Sequence, residues 1–210
     1  MQTSEHSTLT RIRWGGAAAI LAGLSYGAAG YLDRPGMAAF ASIPLSVLTV
    51  ATPALFLGGL LGLRSRLLLG GELSYVGGAG FVIGCVGTML GSIHALIDAV
   101  GLKRTYLSLA SRTFLGLASV GNWWWALLFA SLTLMGIATL LREEMRLLGT
   151  LVLTSAIIGW ISLLIDSAFP GVLLPARPVH VAFAAVFCMS AVVWGGVLFL
   201  GPRSLIRLQP

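Results

Sequence analysis

The chain has 210 residues, 57% of them hydrophobic and 10% charged, with a formal net charge of +6. A water-soluble domain carries about 25% charged residues, so the composition excludes an ordinary soluble enzyme and defines one membrane domain with short loops. The basic excess does not point to nucleic acid: all 13 basic residues except Lys103 are arginine and they flank apolar runs, a placement that suits lipid headgroups and orientation in a bilayer.

Residues 1–13 form a polar tail in which Arg11 and Arg13 precede the first apolar run, 14–32. That run is long for a signal-peptide core and a second follows almost at once, so a retained first span is expected. Asp33-Arg34-Pro35-Gly36 reads as a tight turn, since Pro presets one turn dihedral and Gly tolerates the other. The second span covers about 37–63, contains Pro44 and Pro53, and is closed by Arg64 and Arg66; the prolines predict a kink or a tilted, over-long helix.

The third span, about 73–100, is the most patterned. Gly77, Gly80, Gly84, Gly87 and Gly91 recur every third or fourth residue, followed on the same face by His94 and Asp98. Glycine is costly in a soluble helix, whereas a row of glycines in a membrane helix lets another backbone come close. The pattern predicts a helix-packing seam and a central position for this span in the bundle.

Residues 102–120 differ: Arg104, Ser108, Ser111 and Arg112 share one helical face, and Leu107, Ala110, Phe114 and Leu117 another. This predicts an amphipathic helix lying in the membrane interface. The fourth span, about 122–141, opens with Trp123, Trp124 and Trp125, read as interfacial anchors of the aromatic belt. Arg142-Glu143-Glu144-Met145-Arg146 is a tight charged loop, the fifth span covers about 147–169, and after a Pro-rich loop the sixth covers about 179–200, ended by Gly201-Pro202.

The fold class expected is therefore an all-α integral membrane protein, a six-transmembrane-helix antiparallel bundle with an interfacial helix between spans three and four. Arg11, Arg13, Arg64, Arg66, Arg142, Arg146, Arg203 and Arg207 fall on one side, against Arg34, Lys103, Arg104, Arg112 and Arg177 on the other. The positive-inside rule then puts both termini in the cytoplasm. Arginine-rich, lysine-poor usage suggests a bacterial inner membrane.

Residues 91–98 (GSIHALID) and 159–166 (GWISLLID) match at Gly, Ile, Leu, Ile and Asp. Three copies of a two-helix hairpin explain this; chance matching within a short apolar alphabet explains it too.

Ionisable groups within lipid are expensive and mark the first place to look for function. His94, Asp98, Asp166 and His180 all fall near the outer ends of their spans. Such a polar intramembrane cluster has three uses: a proton or solute path, since imidazole titrates near neutral pH; a divalent-metal site; or, through His94 and His180, a haem pair. The competing explanation is that the aspartates cap helix ends and face interfacial water. No hydrolase signature accompanies the cluster, and Cys85 and Cys188 lack a C-x-x-C neighbour, which suits buried packing. The residues assign neither a metal nor a cofactor. Three functions remain: a non-catalytic membrane subunit or helper that packs against other membrane proteins or its own copies; a small transporter, channel or proton-linked carrier; and a metal- or haem-binding membrane enzyme.

Overall fold

The computed structural model describes residues 2–32, 38–69, 74–99, 120–168 and 177–206. These form six α-helices and no strand: α1 (Gln2–Leu32), α2 (Ala38–Leu69), α3 (Tyr75–Ala99), α4 (Val120–Leu140), α5 (Arg146–Ala168) and α6 (Arg177–Ile206), with a 3-10 turn at Glu143–Met145. Helix is the only local structure open to these runs in lipid, because every backbone N–H and C=O must be paired within its own segment. Five of the helices, α2 to α6, contain a stretch long and apolar enough to cross a membrane. The protein is an all-α, multi-pass membrane bundle. The interfacial helix expected at 102–120 lies outside the described residues, apart from Val120, which opens α4.

Local signals account for several boundaries. Ser74 caps α3: its Oγ accepts the Gly77 N–H at 3.2 Å, satisfying one of the donors left open at a helix start. The α4–α5 connection is closed by backbone bonds from Arg142 N–H to Thr139 C=O (3.1 Å) and from Met145 N–H to Arg142 C=O (2.9 Å). Met145 is buried there, and Arg146 pairs with Glu143 at 3.1 Å on the exposed side, an ion pair of small energetic weight. Two boundaries differ from expectation. The second helix continues past Arg64 and Arg66 to Leu69, and the last runs through Gly201-Pro202 to Ile206. A proline near a helix end removes only one backbone bond, and an arginine stem can lie along apolar surface without ending the helix.

The helices close into a ring in chain order. α1 packs on α2 and α6, α3 on α2 and α4, and α5 on α4 and α6; α2 also leans inward to touch α4 and α6. The third helix is therefore not central, contrary to the sequence expectation. Only 33% of its spanning window is buried, against 56% for α4. Its glycines supply one packing face and no side chains to reach further, and Val82, Val86, Met89, Ile93 and Leu96 point outward. The interior belongs to larger side chains from the other helices, among them Phe56, Leu60, Leu63, Leu128, Leu132, Met135 and Trp194.

Small residues set the tightest contacts. A Cβ built on Gly62 would lie 2.6 Å from the Gly15 Cα, so α1 and α2 touch backbone to backbone. On an adjacent face of α1, a Cβ on Gly16 would lie 2.6 Å from the Gly195 carbonyl oxygen of α6, and one on Gly23 2.7 Å from that of Cys188. The seam on α3 meets α4: Gly80 faces Leu134 and Met135, Gly84 faces Ser131 and also Leu60 of α2, Gly87 faces Leu127, and Gly91 faces the Trp124 ring. Gly136 and Gly149 bring α4 and α5 together.

These glycine contacts divide the ring into two units, α6–α1–α2 and α3–α4–α5. The units meet along the α2–α3 and α5–α6 seams, which are the less extensive of the six neighbour contacts. The three hairpins follow one another in the chain, but α5–α6 lacks the close packing of the first two, and α6 packs instead on α1 of the first hairpin through Gly16, Gly23 and Gly195. The packing therefore does not follow three equal hairpins.

Gly62→Ala is expected to destabilise the bundle by about 1–3 kcal/mol, the range for overpacking, despite alanine's better helix propensity. Gly196 meets nothing within 4 Å, so Gly196→Ala is expected to change stability by less than about 0.5 kcal/mol. Reversible unfolding in mixed micelles measures both.

Candidate functional site

The site inferred from the sequence lies at the end of the bundle formed by the C-terminal ends of α3 and α5 and the start of α6. His94 is on α3, five residues from its end, and is half-buried with its Nδ1 enclosed. At 1.5 Å rise per residue this is about 8 Å from the helix terminus. Asp98, Asp166 and His180 belong to the described backbone of α3, α5 and α6, but their side chains lie outside those described.

Their backbone positions share one end of the bundle, as the antiparallel order requires. They do not share neighbouring helices. α3 and α6 are three places apart round the ring, and α4 stands between α3 and α5. His94 and His180 are thus carried on opposite sides. Among the described residues no group of three or more His, Cys, Asp and Glu comes together. The thiols are likewise apart, Cys85 on α3 and Cys188 on α6, where its Sγ faces Gly27 of α1.

What occupies the middle is aromatic. Trp125 of α4 stands 4.7 Å from Tyr26 of α1, 6.2 Å from Phe56 of α2 and 6.1 Å from Phe187 of α6, centroid to centroid. Phe129, one turn along α4, lies 5.6 Å from Trp125, 5.3 Å from Phe187 and 6.1 Å from Trp160 of α5. The pairs are mostly tilted or edge-to-face, the arrangement the ring quadrupole favours. Trp160 also donates its indole N–H to Thr133 Oγ1 of α4 at 3.2 Å. Five of the six helices enter this cluster, and α3 joins it through Gly91 against Trp124.

Trp124 is buried, with 7% exposure, and Trp125 stacks within the cluster. Both point into the bundle, which differs from the lipid-interface anchoring expected of the tryptophan run. A helix can present only one of three consecutive residues to lipid squarely, and α4 is enclosed on most sides. The exposed tryptophan of the chain is Trp14, at 72%.

Sequence reasoning missed the cluster because its members are scattered over five helices, one on each of α1, α2, α5 and α6 and the rest on α4. The available signal was an aromatic residue within each of spans one, two, four, five and six.

Four buried hydroxyls bond to their own helices. Thr52 donates to Leu48 C=O (2.7 Å), Thr88 to Gly84 C=O (2.9 Å), Thr139 to Met135 C=O (2.6 Å) and Ser155 to Leu151 C=O (2.9 Å). Such back-bonds satisfy a hydroxyl in an apolar setting without a partner from another helix.

No protein-family model, curated protein or solved structure matches this chain. The class is defined by the fold itself: a polytopic α-helical membrane protein.

Trp125→Ala is expected to destabilise the bundle by about 3–5 kcal/mol. Trp14→Ala, removing a ring that faces outward, is expected to change stability far less; near-ultraviolet circular dichroism during thermal unfolding separates the two.

Proposed function

We propose that this protein is a non-catalytic integral membrane component that packs against other membrane proteins or against its own copies. The observation that carries this reading is the apolar core: among the described residues, buried apolar and aromatic side chains from five helices form one cluster, Phe81 and Leu90 of α3 pack against it, and the buried hydroxyls named above bond back to their own helices. Function then belongs to the outward faces. Those of α3 (Val82, Val86, Met89, Ile93) and α6 (Val186, Met189, Val193, Leu200) are the broadest, since only 33% of each spanning window is buried. Side chains spaced by three and four residues form a continuous ridge on each, the form that fits a groove on another helix. Gly196 on α6 leaves open space within that ridge.

The glycine seam of α3 supports this reading only indirectly. Its glycines are consumed by α4, so they stiffen the bundle and leave the partner contact to other surfaces.

A small transporter or proton-linked carrier is the second reading. It is favoured by the division of the ring into two glycine-packed units that meet along two looser seams, because alternating access moves one unit against another. In that reading His94, Asp98, Asp166 and His180 form the entry at the outer end.

We further propose a bacterial inner-membrane location with both termini cytoplasmic. Arg11, Arg13, Arg64, Arg66, Arg142 and Arg146 lie toward one end of the bundle, the end the positive-inside rule assigns to the cytoplasm.

Native mass spectrometry of gently solubilised membranes is expected to give an assembly larger than one chain; a lone monomer contradicts the first reading. Proton or solute flux in proteoliposomes that falls at least tenfold in Asp98→Asn or Asp166→Asn variants would replace it with the second. A Glu143→Cys variant is expected to react with a membrane-impermeant maleimide in inside-out vesicles only; labelling from the outside reverses the assigned orientation.

A further inference from the structure

Arg64 is placed unlike an ordinary helix-flanking arginine. It lies five residues inside the end of α2, within the apolar span Ser46–Leu69, about 8 Å from the helix terminus. Its guanidinium carbon sits 4.6 Å from the centroid of the Phe81 ring of α3, and Cys85, one turn deeper on the same face, is within range of its field. It therefore occupies the α2–α3 seam, one of the two less extensive contacts of the ring. The residue is half-buried, and its Nε is enclosed without a hydrogen-bond partner. Among the described residues no carboxylate pairs with it.

A positive charge held within an apolar span without a counter-ion is expensive, and a ring face offsets only about 0.5–2 kcal/mol of that. The fork geometry of guanidinium matches a phosphate in two parallel hydrogen bonds. The neighbouring surface is apolar: Leu61 and Leu68 of α2 and Val82 and Val86 of α3 are all exposed. Among the residues whose side chains are described, the other charges toward this end of the bundle are mainly positive, from Arg11, Arg13, Arg66, Arg142 and Arg146, against Glu143 and Glu144.

From this juxtaposition we infer an anionic-phospholipid site in the α2–α3 seam. The lipid phosphate pairs with Arg64, and an acyl chain lies along the apolar surface beyond it. Phe81 acts as a positioning residue that holds the guanidinium toward the headgroup. A bound lipid of this kind supplies a counter-charge and fills one of the two less extensive seams of the ring. The inference does not rest on the function proposed above, since the placement of Arg64 beside Phe81 in the α2–α3 seam is the same for any membrane role.

The test uses the full chain in nanodiscs of phosphatidylcholine with phosphatidylglycerol, with retained lipids counted by native mass spectrometry. Wild type is expected to retain phosphatidylglycerol over phosphatidylcholine by about fivefold at one site, the preference one basic residue confers near a membrane surface. Arg64→Gln is expected to bring that preference close to unity, and Arg64→Lys to keep part of it. Arg146→Gln, at an exposed position at the same end, is expected to leave it unchanged. Equal losses in the Arg64 and Arg146 variants indicate diffuse surface charge and overturn the proposal.

A second measurement needs no variant. A phosphatidylglycerol carrying a photoreactive group near its headgroup is expected to cross-link wild type within residues 75–99 and 38–69 more than its phosphatidylcholine counterpart does. Equal cross-linking, or an acidic polypeptide that co-purifies and excludes the lipid, overturns the proposal.

Discussion

The architecture depends on how closely two backbones approach when both are surrounded by hydrocarbon. Lipid tails are as apolar as leucine, so burying a leucine between helices gains little over leaving it in the bilayer. What distinguishes one helix pairing from another is dispersion at short range, which falls away within an ångström of optimal contact. At Gly15 and Gly62 the two helices meet with no side chain between them, and similar contacts recur at Gly16 with Gly195 and at Gly149 with Leu140, while Gly84 admits the Ser131 side chain. Each fixes a crossing point, and together they fix which helices are neighbours.

The aromatic cluster has the complementary task. Glycine contacts draw helices together in pairs, and a ring of six close-packed pairs would leave its middle to be filled. Trp125 and Phe129, from the most buried helix, meet Tyr26, Phe56, Phe187 and Trp160 from four others. Large rigid rings close the volume with few rotamers, whereas lysine- or glutamate-length chains would bring charge into it. The inward lean of α2, which carries Phe56 to both Trp125 and Phe187, belongs to the same arrangement. The bundle is therefore tight at its small-residue edges and packed with large residues at its centre, and its two less extensive seams are where anything foreign finds room. Arg64 lies in one of them.

This arrangement also bears on the polar residues that sequence reading selects first. His94 rides on α3 beside the glycine seam, and the helices bearing Asp166 and His180 are two and three places away round the ring. A shared level in the membrane is a statement about distance along the helices; a shared site needs lateral neighbours as well. The first follows from chain order, the second only from packing.

The sequence by itself determined the solvent and the local structure. Six helices, five of them long and apolar enough to cross a membrane, and the tight Arg142–Arg146 turn were legible, because a long apolar run in lipid pairs its backbone within itself only as a helix. Glycine spacing on α3 likewise revealed a packing face. Only the tertiary structure decided what met that face, that α4 rather than α3 is the enclosed helix, that Trp124 and Trp125 turn inward, and that the close contacts group α6 with α1 and α2. The physical reason is that periodicity along one helix marks a surface without naming its partner. The lateral order of helices is set by the mutual fit of side chains far apart in the chain, such as Gly16 with Gly195 and Tyr26 with Trp125, which no local pattern records.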